Sequence, residues 1–302
     1  MSSSARSVAI IGAGYIGTPI ARALLNTTQH PKVIVLTRHD STGKSLPDDL
    51  SSIPIIPVDY SDVAAVTKVF KDHSVDVVVS TLPMAGLKAQ YSLADAAKAS
   101  GTVKLFVPSE WGLPSEGAKA RGTSDLFAEK DELVEYLKSI QLPFTRVYTG
   151  FFIGALPFIA GVVLSGKVSV VGKGDTPFTA VSEADIGAQF AFVTGFVAHV
   201  LTSLPLDSPH LVNNSLRLEG DRLTFQDLAR IYEKPIHLLA EGELAPGRNK
   251  DESQFMTALQ AEAEAGRAST GFSRVTWKDE GSAGSTNGLW EGHVWDKVKK
   301  ID

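Results

Sequence analysis

Apolar residues in this chain gather in short β-branched runs separated by longer stretches of helical spacing. Runs at residues 8–11, 33–36, 53–58, 75–80, 103–107 and 142–148 predict six strands. The fourth, VDVVVS, is almost unbroken, as expected of a strand buried on both faces of a parallel sheet. Helical patterns follow the first strand and recur over 61–70, with Ser61 or Asp62 as cap, over 90–100 and over 124–138. Strands that alternate with helices predict an α/β fold, a Rossmann doubly wound parallel sheet, over residues 1–150. Beyond it the pattern predicts a strand at 168–171 and helices at 185–201, 224–232 (capped by Thr224) and 251–265. Residues 281–288, GSAGSTNG, read as a flexible loop.

The first turn carries Gly12, Gly14 and Gly17 in G-x-G-x-x-G spacing, with Tyr15 and Ile16 between them. A strand precedes it, a helix follows, and a second strand closes the unit about thirty residues on, which is the context that makes the glycines a dinucleotide fingerprint. Gly12 suits the tight turn, Gly14 lets backbone approach a pyrophosphate, and Gly17 lets helix and strand pack closely. The second strand ends Thr37-Arg38 with no acid until Asp40, where an NAD site usually places an acid for the ribose 2′-hydroxyl. Arg38 suits a 2′-phosphate instead, and Lys44 is either a second cation for it or a solvated loop charge. The expected cofactor is therefore NADPH.

Ligands in such sheets bind beyond the carboxyl ends of the strands, so the loops at 12–17, 38–44, 59–60, 80–84 and 108–115 are expected to converge on one crevice. Asp59 and Tyr60 lie near an adenine or are plain turn residues. Ser80, Thr81 and Leu82 fall on the strand exit beside the nicotinamide end, with Met84 on the substrate side. Pro108, Ser109 and Glu110 are further cofactor candidates.

On the helix at 124–138, Leu126, Leu133, Val134 and Leu137 form one apolar stripe, and Lys130 occupies the position between them. Glu129, Asp131, Glu132, Glu135 and Lys138 fall mostly on the other side. Lys130 either covers apolar surface with its stem while the ammonium reaches water, or acts at the crevice as a general acid or base with its pKa lowered by burial. The tyrosine device of short-chain dehydrogenases is missing: none of the six tyrosines has Lys four residues on, and position 126 is Leu.

Composition narrows the classes of function. The 302 residues are 43% apolar and 21% charged, with a formal charge of -5 that offers no field to nucleic acid or anionic membrane. There is no cysteine, so disulfides and thiolate chemistry are excluded, and no histidine pair has ligand spacing for a metal. The N-terminus lacks an apolar leader segment and a cytoplasmic location is expected. Residues 149–166 carry no charge but are interrupted by Pro157 and four glycines, which favours a buried segment over a membrane span. Phe151, Phe152, Ile153 and Phe158 within it either wall an apolar pocket or belong to a core.

GAGYIG, the stretch KLFVPSEWG and Lys130 twenty residues beyond together resemble the NmrA-like, isoflavone-reductase-like group of atypical short-chain dehydrogenases. The similarity continues through Thr149-Gly150-Phe151-Phe152 and Glu183-Ala184-Asp185-Ile186-Gly187. It implies NADPH on the Rossmann domain, a smaller substrate lobe over 151–302 with some segments returning to the sheet, and hydride delivery to a small aromatic, phenylpropanoid-like substrate. It further implies Lys130 as the catalytic acid or base. Trp111 departs from the Phe more usual in PSEFG, which bears on the pocket wall. Other members bind the cofactor without known turnover, so a non-catalytic NADP(H) sensor is the alternative.

Overall fold

The structure, a computed structural model, describes residues 6–39, 46–122, 125–182 and 195–301. The runs at the start of the chain form a five-stranded parallel sheet of β1 (Ser7–Ile11), β2 (Lys32–Thr37), β3 (Ile55–Pro57), β4 (Val77–Ser80) and β5 (Leu105–Val107), in the order β3-β2-β1-β4-β5. Ile11 stands opposite Leu36 on one side and Ser80 on the other. The chain runs outward from β1 to β3, then returns to the far side of β1, so a topological switch point lies between β1 and β4. Helices α1 (Gly17–Leu25), α2 (Val63–Asp72), α3 (Ala89–Ser100) and α4 (Leu126–Ser139) occupy the crossovers.

Local chemistry sets the ends of these helices. Asp62, of the two candidate caps, accepts from Ala65 N, and Asp125 accepts from Ala128 N; such caps contribute about 1 kcal/mol each. Gly101 ends α3 with φ of 67°, a left-handed backbone that glycine adopts without strain. One face of the sheet buries Ala9, Ile11, Ile34 and Leu36 with Val66 and Phe70 of α2, Leu93 of α3 and Val134 and Leu137 of α4.

The sixth run differs from expectation. The residues just before its strand β6 (Thr145–Tyr148) meet the sheet at an isolated parallel bridge, Phe106 to Phe144, with Phe106 N donating to Pro143 O at 2.8 Å. Pro143 has no N–H with which to extend that ladder, and β6 pairs with Asn214–Arg217. The helix expected over 185–201 is described only from Phe196, and continues to Ser203; residues 183–194 lie outside the described residues.

The chain divides into two compact units. One takes in the chain up to Trp111, Ser115–Val147 and the segment that ends at Leu216. The other comprises Gly112–Pro114, Tyr148–Ser182 and the chain from Arg217 onward. In this second unit Phe178–Val181 lies between Asp221–Leu223, antiparallel, and Phe151–Phe152, parallel. Val168–Val170 pairs with Ile236–Leu238. The helix Phe225–Tyr232 begins with a capping box between Thr224 and Asp227, and Lys250–Glu264 is capped by Asn249. Phe151 is a core residue here, 4% exposed and edge-on to Phe178 at 5.1 Å, so it does not wall a pocket; strand alternation leaves Phe152 the more accessible of the two.

The first turn shows why two of its glycines differ. A Cβ on Gly17 would stand 2.1 Å from Gly12 O, whereas one on Gly14 would have nothing within 4 Å. Gly17→Ala is expected to lower unfolding free energy by about 1–3 kcal/mol in urea denaturation, and Gly14→Ala to change it by less than about 1 kcal/mol. Equal costs would contradict this packing.

Candidate functional site

Three loops at the carboxyl edge of the sheet are tied to one another. Thr81 Oγ1, just after β4, donates within 3.0 Å of both Ile11 O and Gly12 O, binding the β4 exit to the glycine turn. Ser109 Oγ donates to Leu82 O at 2.7 Å and Ser109 N to Gln90 Oε1 at 2.9 Å, which adds the loop after β5. Trp111 Nε1 donates to Ser80 O at 2.7 Å, a bond that the more usual phenylalanine cannot make. Trp111 holds a φ of 30°, uncommon for a bulky side chain, and that bond helps to keep it there.

These loops suit a dinucleotide on direct grounds. Gly12 has a φ of 94°, the space above Gly14 is open, and the N-terminus of α1 has no side-chain cap to compete for a phosphate. Two buried oxygens at this edge, Ser80 Oγ and Glu110 Oε2, have no hydrogen-bond partner among the described residues. Tyr15 is 60% exposed, and Arg38 is exposed directly after β2. Lys44 lies outside the described residues.

Tyr60 is a correction. Its ring is buried and its hydroxyl donates to Leu36 O at 2.9 Å, so it serves the core. Asp59 accepts from Ser61 N and Oγ in a tight turn, which holds its carboxyl below the usual range.

The helical stripe brings Lys130 to the loop after β5. Its Nζ donates to the Glu110 carbonyl at 2.5 Å, and the residue is only partly exposed. Desolvation by burial lowers the Lys130 pKa, while the negative charge of Glu110 opposes that shift. Below it lies a charge cluster that the helical pattern misplaced. Asp131, expected on the outer face, is buried: Oδ1 accepts from Arg146 Nη2 at 2.8 Å, and Oδ2 from Gly117 N and Lys119 N at 3.1 Å. Arg146 Nε stands 4.0 Å from Glu110 Oε1, which also accepts from Ser115 Oγ at 2.8 Å. One guanidinium from β6 therefore serves both the helix that carries Lys130 and the loop that receives its hydrogen bond.

A cleft of about 540 Å³ opens beside Lys130, between the start of α3, the loop before α4 and the first turns of α4. Leu87, Lys88, Tyr91, Lys119, Glu129 and Glu132 are among its walls. Charge spacing alone gave none of these a role. Met84 is exposed. Among the described residues no group of acids or histidines is placed to hold a metal, and no helix is long and apolar enough to cross a membrane.

The model of the NmrA-like family matches residues 4–263. An isoflavone reductase homolog of Solanum tuberosum is 30% identical, over 78% of this chain and 75% of its own. A phenylcoumaran benzylic ether reductase of Pinus taeda is 27% identical, over 82% of this chain and 80% of its own. The solved complex of leucoanthocyanidin reductase with NADPH from Vitis vinifera superposes with a TM-score of 0.74 at 21% identity, covering 97% and 96% of the two chains. That likeness shows the Rossmann-type fold.

Removing the guanidinium leaves two buried carboxylates without their cation. Arg146→Met is expected to cost about 3–5 kcal/mol of stability in chemical denaturation. A loss below about 1 kcal/mol, the range of an exposed ion pair, would show that the cluster does not hold this part of the fold.

Proposed function

The chain belongs to the NmrA-like family, and from that premise we propose that it is an NADPH-dependent reductase of a small aromatic, phenylpropanoid-like substrate, with Lys130 as general acid or base. The observation that carries the proposal is a partly buried lysine, hydrogen-bonded to the Glu110 carbonyl, in the wall of a cleft large enough for a small aromatic molecule. The reductase names of the relatives support the substrate class.

NADPH, when bound, supplies the hydride. Gly12, Gly14, Tyr15, Ile16 and Gly17 would hold its pyrophosphate through backbone N–H groups and the positive end of α1, and Arg38 its 2′-phosphate. Thr81 and Ser109, through their bonds to the glycine turn and to Leu82, keep the loops of this edge in one arrangement. Lys130 exchanges the proton: its lowered pKa brings the neutral amine closer to working pH, so it takes a proton from a substrate phenol or returns one to a reduced centre. The Glu110 carbonyl orients the nitrogen, and Arg146 fixes that carbonyl's loop.

Two measurements bear on this reading. Lys130→Met is expected to lower kcat about 10²–10⁴-fold with NADPH affinity nearly unchanged. In the same assay Glu110→Gln removes the charge that raises the Lys130 pKa, so the Lys130 limb of the pH–rate profile moves to lower pH. Unaltered turnover in the first variant, or a limb that moves upward in the second, removes Lys130 from the chemistry. For the cofactor, Arg38→Ala is expected to weaken NADPH binding by about 1.5–3 kcal/mol and leave NADH nearly untouched, measured by fluorescence titration. Equal losses for the two cofactors would show that Arg38 does not read the phosphate.

A further inference from the structure

The Y-x-x-x-K arrangement is missing from α4, where Leu126 stands one turn before Lys130. The fold brings a tyrosine to the same cleft from another helix. Tyr91, in the first turn of α3, lines the cleft together with Lys130. Its ring packs against Tyr136 at 5.0 Å between centroids and 54° between planes, and the Tyr136 hydroxyl donates to Asp95, so the platform behind Tyr91 is itself anchored. The Tyr91 hydroxyl has no hydrogen-bond partner among the described residues, although Tyr60 and Tyr136 both use theirs. A half-buried phenol in a cleft wall, rigid behind and uncommitted in front, is a donor waiting for an acceptor.

We propose that Tyr91 is a catalytic residue that donates a hydrogen bond to an oxygen of the substrate held in the Lys130 cleft. The proposal rests on the reductase reading and deepens it by naming the substrate feature, a phenol or carbonyl oxygen. With a phenol, the proton passes from the substrate oxygen to the neutral Lys130 amine, giving an ammonium and a phenolate; Tyr91 keeps its own proton and donates to the new charge. The electrostatics agree with that division. Burial, then Glu132, then Glu129 push the Tyr91 phenol above its ordinary pKa, so it stays protonated while Lys130 loses its proton more readily than usual. The other charged groups that face this cleft are Lys88 and Lys119, the latter paired with Glu132 at 3.2 Å.

The test uses 4-nitrophenol as the probe, bound to the NADP⁺-loaded protein, because its ionised form absorbs visible light and reports its protonation state directly. Tyr91→Phe is expected to raise the probe's Kd about tenfold and to raise the pKa of the bound phenol, with melting temperature and NADPH affinity unchanged. An unchanged Kd and bound pKa overturns the proposal, as does a wild-type protein that does not take up the probe. Turnover separates this from the reductase reading. If wild-type protein reduces phenolic or enone substrates and Tyr91→Phe matches its kcat/KM, the Tyr91 role falls and the reductase stands. If wild-type protein turns nothing over but Tyr91→Phe still weakens the probe, the phenol site stands without the reductase.

Discussion

The candidate site depends on one buried guanidinium. Arg146, 2% exposed, is within 2.8 Å of Asp131 on α4 and 4.0 Å of Glu110 on the loop after β5. A buried charge is costly unless paired and hydrogen-bonded, and here the pairing sets geometry as well as charge balance. Asp131 also accepts two backbone N–H groups from 117 and 119, so the loop before α4 is fastened to the same residue. Lys130, the residue just before Asp131 on the helix, is thereby fixed in direction. Its ammonium meets the Glu110 carbonyl because helix and loop share an anchor.

The glycine turn is the second constraint. Gly17 admits no side chain because Gly12 O and Thr81 Oγ1 occupy the space, and Thr81 in turn bonds to Ile11 O and Gly12 O. The loops after β1 and β4 are therefore one packed unit, with open space above Gly14. Ser109 and Trp111 extend it to the loop after β5, and Lys130 joins at Glu110. The glycine turn, the β4 exit, the loop after β5 and Lys130 thus fall on a single hydrogen-bonded edge of the sheet, where the proposed chemistry would take place.

The sheet was legible because its strands are buried, β-branched and bounded by turns, and the switch point follows from their order. The inward position of Lys130 was legible because it interrupts an apolar stripe. Asp131 was not: a helical pattern assigns a charge outward unless its partner is visible, and Arg146 lies fifteen residues away on a strand. Tyr91 was missed for a related reason, since a search at four-residue spacing looks along one helix, and α3 and α4 come together only in the fold. Tyr60 was left between two roles that only the Leu36 carbonyl distinguishes. Most strands of the second unit are two to four residues long, as with Phe151–Phe152 and Asp221–Leu223, too short for alternation to register.

The most direct measurement is the titration of the Lys130 ammonium itself, followed by NMR in lysine-labelled protein with NADP⁺ bound and assigned by comparison with Lys130→Arg. A lysine poised for proton exchange titrates well below the ordinary value of about 10.4. A midpoint at or above that value would mean that Lys130 stays a cation at working pH and would contradict its role as acid or base.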